Sequence, residues 1–171
     1  MIAILYGSST LNTEFVAQRI LQALGEDAAD LHNVKDVDPA IVDRRSSLVF
    51  ITSTWGTGDL QDDWEPLLPR LAGTDMRGKT VGLVGVGDQV NYPEMFCDSI
   101  AILNEFVLAR GATVVGRTST EGYRFKKSRA VRGGKFVGLV LDEDNQSDKT
   151  DERIAAWVHA IRPHMQPTSG A

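Results

Sequence analysis

Four hydroxyl side chains lie close together in residues 7–13 and could bind a phosphate group. They are Ser8, Ser9, Thr10 and Thr13, and the same segment contains Leu11 and Asn12. The segment leads into a stretch of helical period, and the first N–H groups of a helix have no partners within it. Hydroxyl groups beside such N–H groups are suited to bind phosphate. The same residues are also typical of an ordinary helix cap, and no Lys or Arg is present to form a P-loop.

Two later polar segments each follow an apolar run and each carry one aromatic residue. The candidates for ligand contacts are Ser53, Thr54, Trp55, Gly56, Thr57 and Gly58 in the second segment, and Gly87, Asp88, Gln89 and Tyr92 in the third. Small polar neighbours give the two aromatic rings little local packing, so both are suited to hold a flat ligand. Together with a phosphate site, this combination indicates a nucleotide. Either ring could instead cover the core or contact another protein.

Other chemical motifs are weak in this sequence. Residues 85–90, Gly-Val-Gly-Asp-Gln-Val, resemble the start of a dinucleotide fingerprint but lack its third glycine. The three histidines lack metal-ligand spacing, and the acidic residues of 59–65 are more typical of a solvated helix rim than of a metal site. No Gly-x-Ser-x-Gly motif is present. We therefore predict no metal ion and no catalytic residue.

Composition limits the classes to which this protein can belong. The chain has 171 residues, of which 42% are hydrophobic and 24% charged, so we predict a single domain over 1–171 with a frayed tail from residue 163. A net charge of −5 argues against nucleic-acid binding. The single cysteine, Cys97, allows no internal disulfide and is typical of the cytoplasm. No signal peptide is visible, and no apolar stretch approaches the roughly 18 residues that a membrane span needs.

Short apolar runs alternate with segments of helical period along the chain, which is typical of βαβ units. Strands are predicted at residues 2–6, 48–52, 80–86 and 112–117, with a weaker one at 28–31, and helices at 13–24, 93–110 and 150–161. The simplest fold is an α/β, doubly wound, five-stranded parallel sheet in the order 2-1-3-4-5. Ligands of such a sheet bind beyond the carboxyl ends of the central strands, where all three polar segments are expected.

One segment, residues 120–135, interrupts the alternation without helical period, and another strand is predicted at 136–141. The fifth strand is therefore predicted to be interrupted by a long loop and then to resume. Six basic residues lie in this loop: Arg124, Lys126, Lys127, Arg129, Arg132 and Lys135. Removing these six positive charges from a net charge of −5 leaves −11 for the rest of the chain. The loop is either a solvated excursion or a docking site for an acidic partner.

Several motifs taken together resemble one family. They are Ser53-Thr54-Trp55, Gly58-Asp59-Leu60-Gln61 and Asp63-Trp64, then Gly87-Asp88-Gln89 with Tyr92, Phe96 and Asp98, then Gly122-Tyr123 with Phe125 and Ser128, and finally residues 134–139 and 141–146 with Arg153 and Trp157. In these motifs the chain resembles the long-chain class of flavodoxins from residue 2 to residue 161. The interrupted fifth strand agrees with that class, and the resemblance implies a flavodoxin-like fold.

The resemblance implies non-covalently bound flavin mononucleotide, FMN. Its phosphate would lie against residues 8–13, and its ring between Trp55 and Tyr92. Backbone groups near Gly56, Thr57, Asp88 and Gln89 would then meet the polar edge of the ring, and Cys97 would be a neighbour of the ring. The phosphate loop of the family usually reads Thr-Gly-x-Thr, whereas Leu11 takes the place of the glycine here. Leucine would lower the affinity for FMN only if this position requires glycine, either because it needs a positive φ or because the phosphate approaches the backbone closely.

The resemblance also implies a soluble, low-potential one-electron carrier that has no substrate turnover of its own. Its FMN would cycle between semiquinone and hydroquinone, and the step to hydroquinone would have a low potential because an acidic chain and two electron-rich rings disfavour the reduced anion. Gly56 could turn its peptide to offer a carbonyl to N5 of the ring. The implied partners are a reductase and a low-potential acceptor protein, with no nucleic acid and no membrane, and the chain would be a monomer. The alternatives are a flavin-dependent NAD(P)H:quinone reductase on the same fold and a flavin-free interaction module.

Overall fold

The computed structural model describes residues 1–55 and 57–165, with Trp55 described through its backbone only. Ten strands lie within these residues: β1 Ile2–Tyr6, β2 Ala29–Asn33, β3 Ser47–Trp55, β4 Asp59–Leu60, β5 Thr80–Val86, β6 Thr113–Val115, β7 Thr118–Ser119, β8 Val131–Arg132, β9 Lys135–Phe136 and β10 Leu139–Leu141. The main sheet has the order β10-β5-β3-β1-β2, and all of these neighbours are parallel. The predicted doubly wound order is therefore confirmed.

Six α-helices lie within the described residues and cover the two faces of the sheet. They are α1 Leu11–Leu24, α2 Ala40–Arg44, α3 Trp64–Arg70, α4 Ser99–Ala109, α5 Glu143–Gln146 and α6 Thr150–Ile161. Side chains of β1 alternate between the faces, as expected of a strand. Ile2, Ile4 and Tyr6 contribute to the cluster with α1 and α6, whereas Ala3 and Leu5 contribute to the cluster with α3 and α4. Among these described helices, none is long and apolar enough to cross a membrane.

Two short strands share the position beside β5, which confirms the interrupted fifth strand. β6 pairs with Thr80–Gly82 in the first half of β5, and β10 pairs with Val84–Val86 in the second half. The predicted continuous strand at 136–141 is wrong, because β9 and β10 are separate. Gly138 lies between them, so close to the Leu83 carbonyl oxygen that a side chain would clash. Between β6 and β10 the chain forms an antiparallel sheet in the order β7-β9-β8, which we call the insertion together with its loops, residues 116–138.

The helix predicted at 93–110 begins only at Ser99, so its first six residues were assigned wrongly. Cys97 has φ 53°, a left-handed conformation that a right-handed helix cannot contain. The chain therefore turns before α4 begins. These turns leave the Pro93 carbonyl free to accept N–H groups from the insertion.

The frayed tail predicted from residue 163 does not begin there. A 3₁₀ turn spans Arg162–His164, and the Met165 side chain is buried. Its backbone N–H donates to the Ile161 carbonyl, and Met165 belongs to the same apolar cluster as Trp157. Apolar burial thus holds the chain beyond α6 against the sheet. The remainder of the predicted tail, 166–171, lies outside the described residues.

Candidate functional site

A cleft of about 310 Å³ lies at the carboxyl ends of β1, β3 and β5, where the three polar segments meet. Nine residues predicted to bind a ligand line it: Thr10, Asn12, Thr13, Ser53, Thr54, Gly87, Asp88, Tyr92 and Cys97. Four others that were not predicted also line it: Val86, Met95, Phe96 and Asp144. The topology thus brings together residues that are more than 80 positions apart in the chain, and it combines hydroxyls, an aromatic ring and apolar walls in one cavity.

At one end of the cleft, α1 presents unpaired polar groups. Thr10 is the N-cap of this helix, and its side chain makes no capping hydrogen bond. Thr13 is fully buried in the first turn, and its hydroxyl oxygen Oγ1 has no hydrogen-bond partner among the described residues. A buried unpaired hydroxyl costs free energy unless a ligand or solvent pairs it. This end of the cleft is therefore chemically complementary to an oxyanion such as phosphate.

Leu11 raises no conformational difficulty in this loop. It is the first residue of α1, and it is not among the described non-glycine residues with positive φ. Its side chain is 81% exposed and does not line the cleft. The leucine therefore occupies an ordinary helical position, and its backbone conformation does not require glycine.

Replacing Leu11 by glycine is expected to lower the stability of the protein slightly without raising its affinity for a ligand in the cleft. Glycine costs about 0.5–1 kcal/mol relative to alanine within a helix because it loses more backbone freedom on folding. We expect Leu11→Gly to lower the free energy of unfolding, measured with urea, by up to that amount. Leu11→Ala is the matched control for loss of the side chain. A large gain in phosphate or FMN affinity in Leu11→Gly would show that the leucine obstructs binding.

The two serines of the first segment stabilise the loop rather than line the cleft. The Ser8 hydroxyl donates to the Thr10 carbonyl, and the Ser9 hydroxyl accepts from the side-chain amide of Gln61 at 2.9 Å. Gln61 is buried and also accepts from the backbone N–H of Asp63. Gln61, which was not among the predicted site residues, therefore joins the second segment to the first.

In the second segment, Ser53 and Thr54 lie on the cleft wall, and Thr57 and Gly58 lie off it. The Thr54 hydroxyl lies 2.8 Å from that of Ser99 and accepts the Ser99 backbone N–H, so the end of β3 is fixed to the start of α4. Gly58 has φ 105°, and a Cβ there would lie 2.8 Å from a carboxylate oxygen of Asp98. The predictions for Gly56 and for the Trp55 side chain lie outside the described residues.

In the third segment, Tyr92 lies at the mouth of the cleft with 55% of its surface exposed. Its backbone N–H donates to the Asp88 carbonyl, and the Asp88 carboxylate accepts the N–H groups of Val90 and Asn91. These bonds fix the turn that presents the ring. An aromatic ring that is half exposed beside an apolar wall is well placed to stack on a planar ligand.

Gln89 and Cys97 face the protein interior. Gln89 is buried, and both its backbone and side-chain N–H groups donate to the Asp142 carboxylate, at 3.1 and 2.8 Å. Cys97 lies on the floor of the cleft. Burial raises the pKa of its thiol well above the ordinary value, and the negative charges of Asp142 and Asp98 raise it further. The thiol is therefore neutral at physiological pH and serves as an apolar part of the floor.

Carboxylates concentrate at one side of the cleft. Asp144 lines it, and burial followed by repulsion from Asp88 and Asp142 raises the Asp144 pKa. Burial also acts to raise the pKa of Asp88, but hydrogen bonds from Asn91, Asn145 and Val90 outweigh it and lower that pKa. Asn145 donates to both Asp88 and Asp142 and so links the third segment to α5. This side of the cleft carries negative charge and opposes a further anion.

Comparison with known proteins identifies the family to which this chain belongs. A family model described as Flavodoxin matches residues 4–157. The flavodoxin of Nostoc sp. is 45% identical over 161 residues, which cover 94% of this chain and 95% of that protein. The flavodoxin of Helicobacter pylori is 44% identical, with 94% of this chain and 96% of that protein covered. The chain belongs to the flavodoxin family.

A solved flavodoxin structure supports the same assignment. The flavodoxin of Fusobacterium nucleatum bound to flavin mononucleotide has a TM-score of 0.92 and is 36% identical, and the match covers 96% of this chain and 98% of that one. Flavodoxins bind FMN and are electron-transfer proteins rather than enzymes. Among the described residues of this family member, no group of three or more His, Cys, Asp or Glu residues is arranged to hold a metal ion.

The positioning residues Gln61, Asp98 and Asn145 were not predicted as part of the flavodoxin site. Each is polar and makes hydrogen bonds between segments that are far apart in the sequence: Gln61 with Ser9, Asp98 with the Arg129 backbone N–H at 2.7 Å, and Asn145 with Asp88. Their positions within the family motifs were the only signal in the sequence. The contacts themselves depend on the tertiary fold.

Proposed function

We propose that this chain binds FMN non-covalently in the cleft and carries single electrons between protein partners. The observation that carries the proposal is the buried, unpaired hydroxyl of Thr13, which shares a cleft with the exposed ring of Tyr92. One end of the cleft offers donors for a phosphate, and the other offers an aromatic face for a planar ring. FMN has both groups. Membership of the flavodoxin family and the FMN-bound structure from Fusobacterium nucleatum support the choice of this nucleotide.

The hydroxyl end of the cleft would hold the phosphate without a basic side chain. Thr10, Asn12 and Thr13 line the cleft at the start of α1, where the first N–H groups of a helix lack intrahelical partners. The positive end of the helix dipole adds to the attraction of an anion. Within the same proposal, Ser8 stabilises the loop from within through its hydrogen bond to the Thr10 carbonyl, and Ser9 and Gln61 connect the loop to the second segment.

The aromatic end of the cleft would orient the flavin ring and limit its access to water. Tyr92 is the described aromatic residue at its mouth, and Met95, Phe96 and Cys97 form an apolar wall beneath it. Trp55 and the peptide of Gly56 complete the ring site in our proposal, from their positions in the family motif. A flat apolar slot favours the uncharged parts of the ring, and Tyr92 adds stacking.

When bound, the flavin would supply the redox chemistry, cycling at low potential between semiquinone and hydroquinone. The described residues would act on it through charge. Asp88 and Asp144 line the cleft and disfavour extra negative charge within it. We propose that a reductase protein supplies the electrons and a low-potential acceptor protein removes them. The buried free thiol of Cys97 supports a reducing compartment, which we propose to be the cytoplasm, and the chain would work as a monomer.

An anaerobic redox titration of the purified protein tests this function. We expect one FMN per chain and two separate one-electron steps, with a blue neutral radical between them and the second step at low potential. The protein's visible spectrum, its bound-flavin content and the two midpoints are measured together. Purified protein that does not bind added FMN would overturn the proposal, as would direct two-electron reduction. Steady oxidation of NAD(P)H by the isolated protein would instead identify a reductase.

A further inference from the structure

A second cavity, of about 290 Å³, lies between the insertion and α6. Its lining comes from the insertion between Arg117 and Tyr123, from Leu139 at the start of β10, and from the face of α6 that carries Arg153 and Trp157. None of its described lining residues lines the cleft that we assign to FMN. The proposed electron-carrier function therefore makes no use of this second cavity.

Part of the lining of the second cavity is apolar and firmly held. Trp157 and Leu139 are both almost fully buried and belong to the apolar cluster between the sheet and α6. The indole N–H of Trp157 donates to the Gly116 carbonyl at 2.9 Å, which fixes the ring and satisfies its one polar group. Ala156 and Ala160 lie one turn apart on α6, and their small side chains leave space above the indole. This wall is therefore formed before any ligand binds and is suited to an apolar ring.

Two guanidinium groups, those of Arg117 and Arg153, also line the second cavity. Neither forms an ion pair with a carboxylate of the described residues. Arg153 donates to the side-chain oxygen of Gln146 at 2.8 Å, and its Cζ atom lies 4.0 Å from the centre of the Tyr123 ring. Arg117 donates to the Arg132 carbonyl. Each guanidinium is thus anchored by one hydrogen bond, which leaves most of its N–H donors available to a ligand.

The remaining polar groups of the second cavity favour an anion. Two hydroxyl donors are already used within the protein, since Tyr123 donates to the Val140 carbonyl and Thr118 donates to the Gly138 carbonyl at 2.6 Å. Glu121 is the one carboxylate among the described lining residues, and it is exposed, so water screens its charge. Two positive charges against one negative charge leave +1 for the lining. The guanidinium groups therefore decide the charge of a ligand.

We propose that the second cavity is a binding site for a small aromatic carboxylate, whose carboxylate pairs with Arg117 and Arg153 and whose ring packs on Trp157 and Leu139. The planar fork of a guanidinium matches the two oxygens of a carboxylate, and the apolar wall covers the ring. A volume of about 290 Å³ lies at the lower end of the range for ligand pockets, so the site accepts a small molecule. Binding at this site requires neither FMN nor electron transfer.

Isothermal titration calorimetry with 2-naphthoate, an aromatic carboxylate of two fused rings, tests the site. The full chain is loaded with FMN first, so that the probe does not enter the cleft. The matched neutral probe is 2-naphthamide, and inorganic phosphate is the matched anion without a ring. We expect one 2-naphthoate to bind per chain and both other probes to bind about tenfold or more weakly, because each lacks one of the two interactions. Equal affinity for 2-naphthoate and 2-naphthamide would overturn the inference.

A double variant, Arg117→Gln/Arg153→Gln, tests the role of the two guanidinium groups. We expect it to lower the affinity for 2-naphthoate about tenfold or more, because charge-assisted hydrogen bonds are lost. The matched control is Arg44→Gln/Arg70→Gln, which changes the net charge by the same amount at exposed arginines that end α2 and α3 and do not line the second cavity. Equal losses in the two double variants would overturn the inference, because the probe would then sense net charge alone.

A second variant, Ala156→Phe, fills the second cavity without changing any charge. Ala156 lies on the exposed side of α6, so we expect the variant to keep the unfolding midpoint in urea and the FMN content while it loses 2-naphthoate binding. Ala155→Phe is the matched control, since Ala155 is also exposed on α6 but does not line the cavity. Binding retained in both Ala156→Phe and Arg117→Gln/Arg153→Gln would overturn the inference. If the chain binds no FMN, the proposed function fails, and the difference between Ala156→Phe and Ala155→Phe still decides this site.

Discussion

Thr13→Val is expected to weaken FMN binding strongly while leaving the FMN-free protein as stable as before, or more stable. Valine matches the shape of threonine but lacks the hydroxyl, which is buried and unpaired among the described residues. A hydrogen bond to a charged group contributes about 1.5–3 kcal/mol, so affinity should fall roughly 10- to 150-fold. The FMN-free protein should gain stability, because an unpaired buried hydroxyl costs about 1–3 kcal/mol.

Fluorescence titration with FMN gives the affinity of the Thr13→Val variant, and urea unfolding without FMN gives its stability. Thr113→Val is the matched control, since Thr113 is exposed on β6 and does not line the cleft. The opposite directions of the two effects make the test specific. Unchanged affinity would show that the phosphate lies elsewhere. A loss of stability without FMN would show that the hydroxyl has a structural partner.

Gly87→Ala is expected both to destabilise the protein and to distort the ligand site in the cleft. A Cβ at position 87 would lie 2.7 Å from the Cys97 sulfur and 3.2 Å from the Phe96 ring. Both neighbours are fully buried, and Phe96 is confined by the rings of Tyr123, Phe125 and Phe136. Overpacking of this kind costs about 1–3 kcal/mol. Because Gly87 and both neighbours line the cleft, any shift that relieves the clash also changes the ligand site.

A double-mutant cycle tests whether the loss of stability in Gly87→Ala comes from contact with the Cys97 sulfur. Cys97→Ala removes the sulfur that the new methyl group would meet, so Gly87→Ala/Cys97→Ala should lose less stability than the sum of the two single variants. Gly73→Ala is the matched control, since a Cβ there meets nothing within 4 Å and requires no unusual backbone conformation. Additive losses measured by urea unfolding would show that the strain at Gly87 has another source.

The main sheet was predictable because its signal is local. Alternation of side chains along β1 and the apolar runs of β3 and β5 are present in the sequence itself, and a doubly wound sheet then places the three polar segments at one edge. The cleft could be located for the same reason. The family motifs added the flavin, which a strand pattern alone could not identify.

The parts that were not predicted depend on contacts between distant residues. The start of α4 was misplaced because Cys97 has φ 53°. In this conformation the Cys97 sulfur packs close to Gly85, which lies on β5, and to Gly87, which follows β5. Helical period continues through residues 93–98, so no local signal marks the turn. The role of Gln61 was missed for a similar reason, since its hydrogen bond to Ser9 joins positions 52 residues apart.

The register of β5 makes the insertion separable from the rest of the molecule. Val115 at the end of β6 pairs with Gly82, and Leu139 at the start of β10 pairs with Val84, so Leu83 alone separates the points where the chain leaves the sheet and returns to it. One residue in place of 116–138 would join β6 and β10 in register as a single edge strand. The insertion can therefore be exchanged or enlarged while the strands that build the cleft remain unchanged.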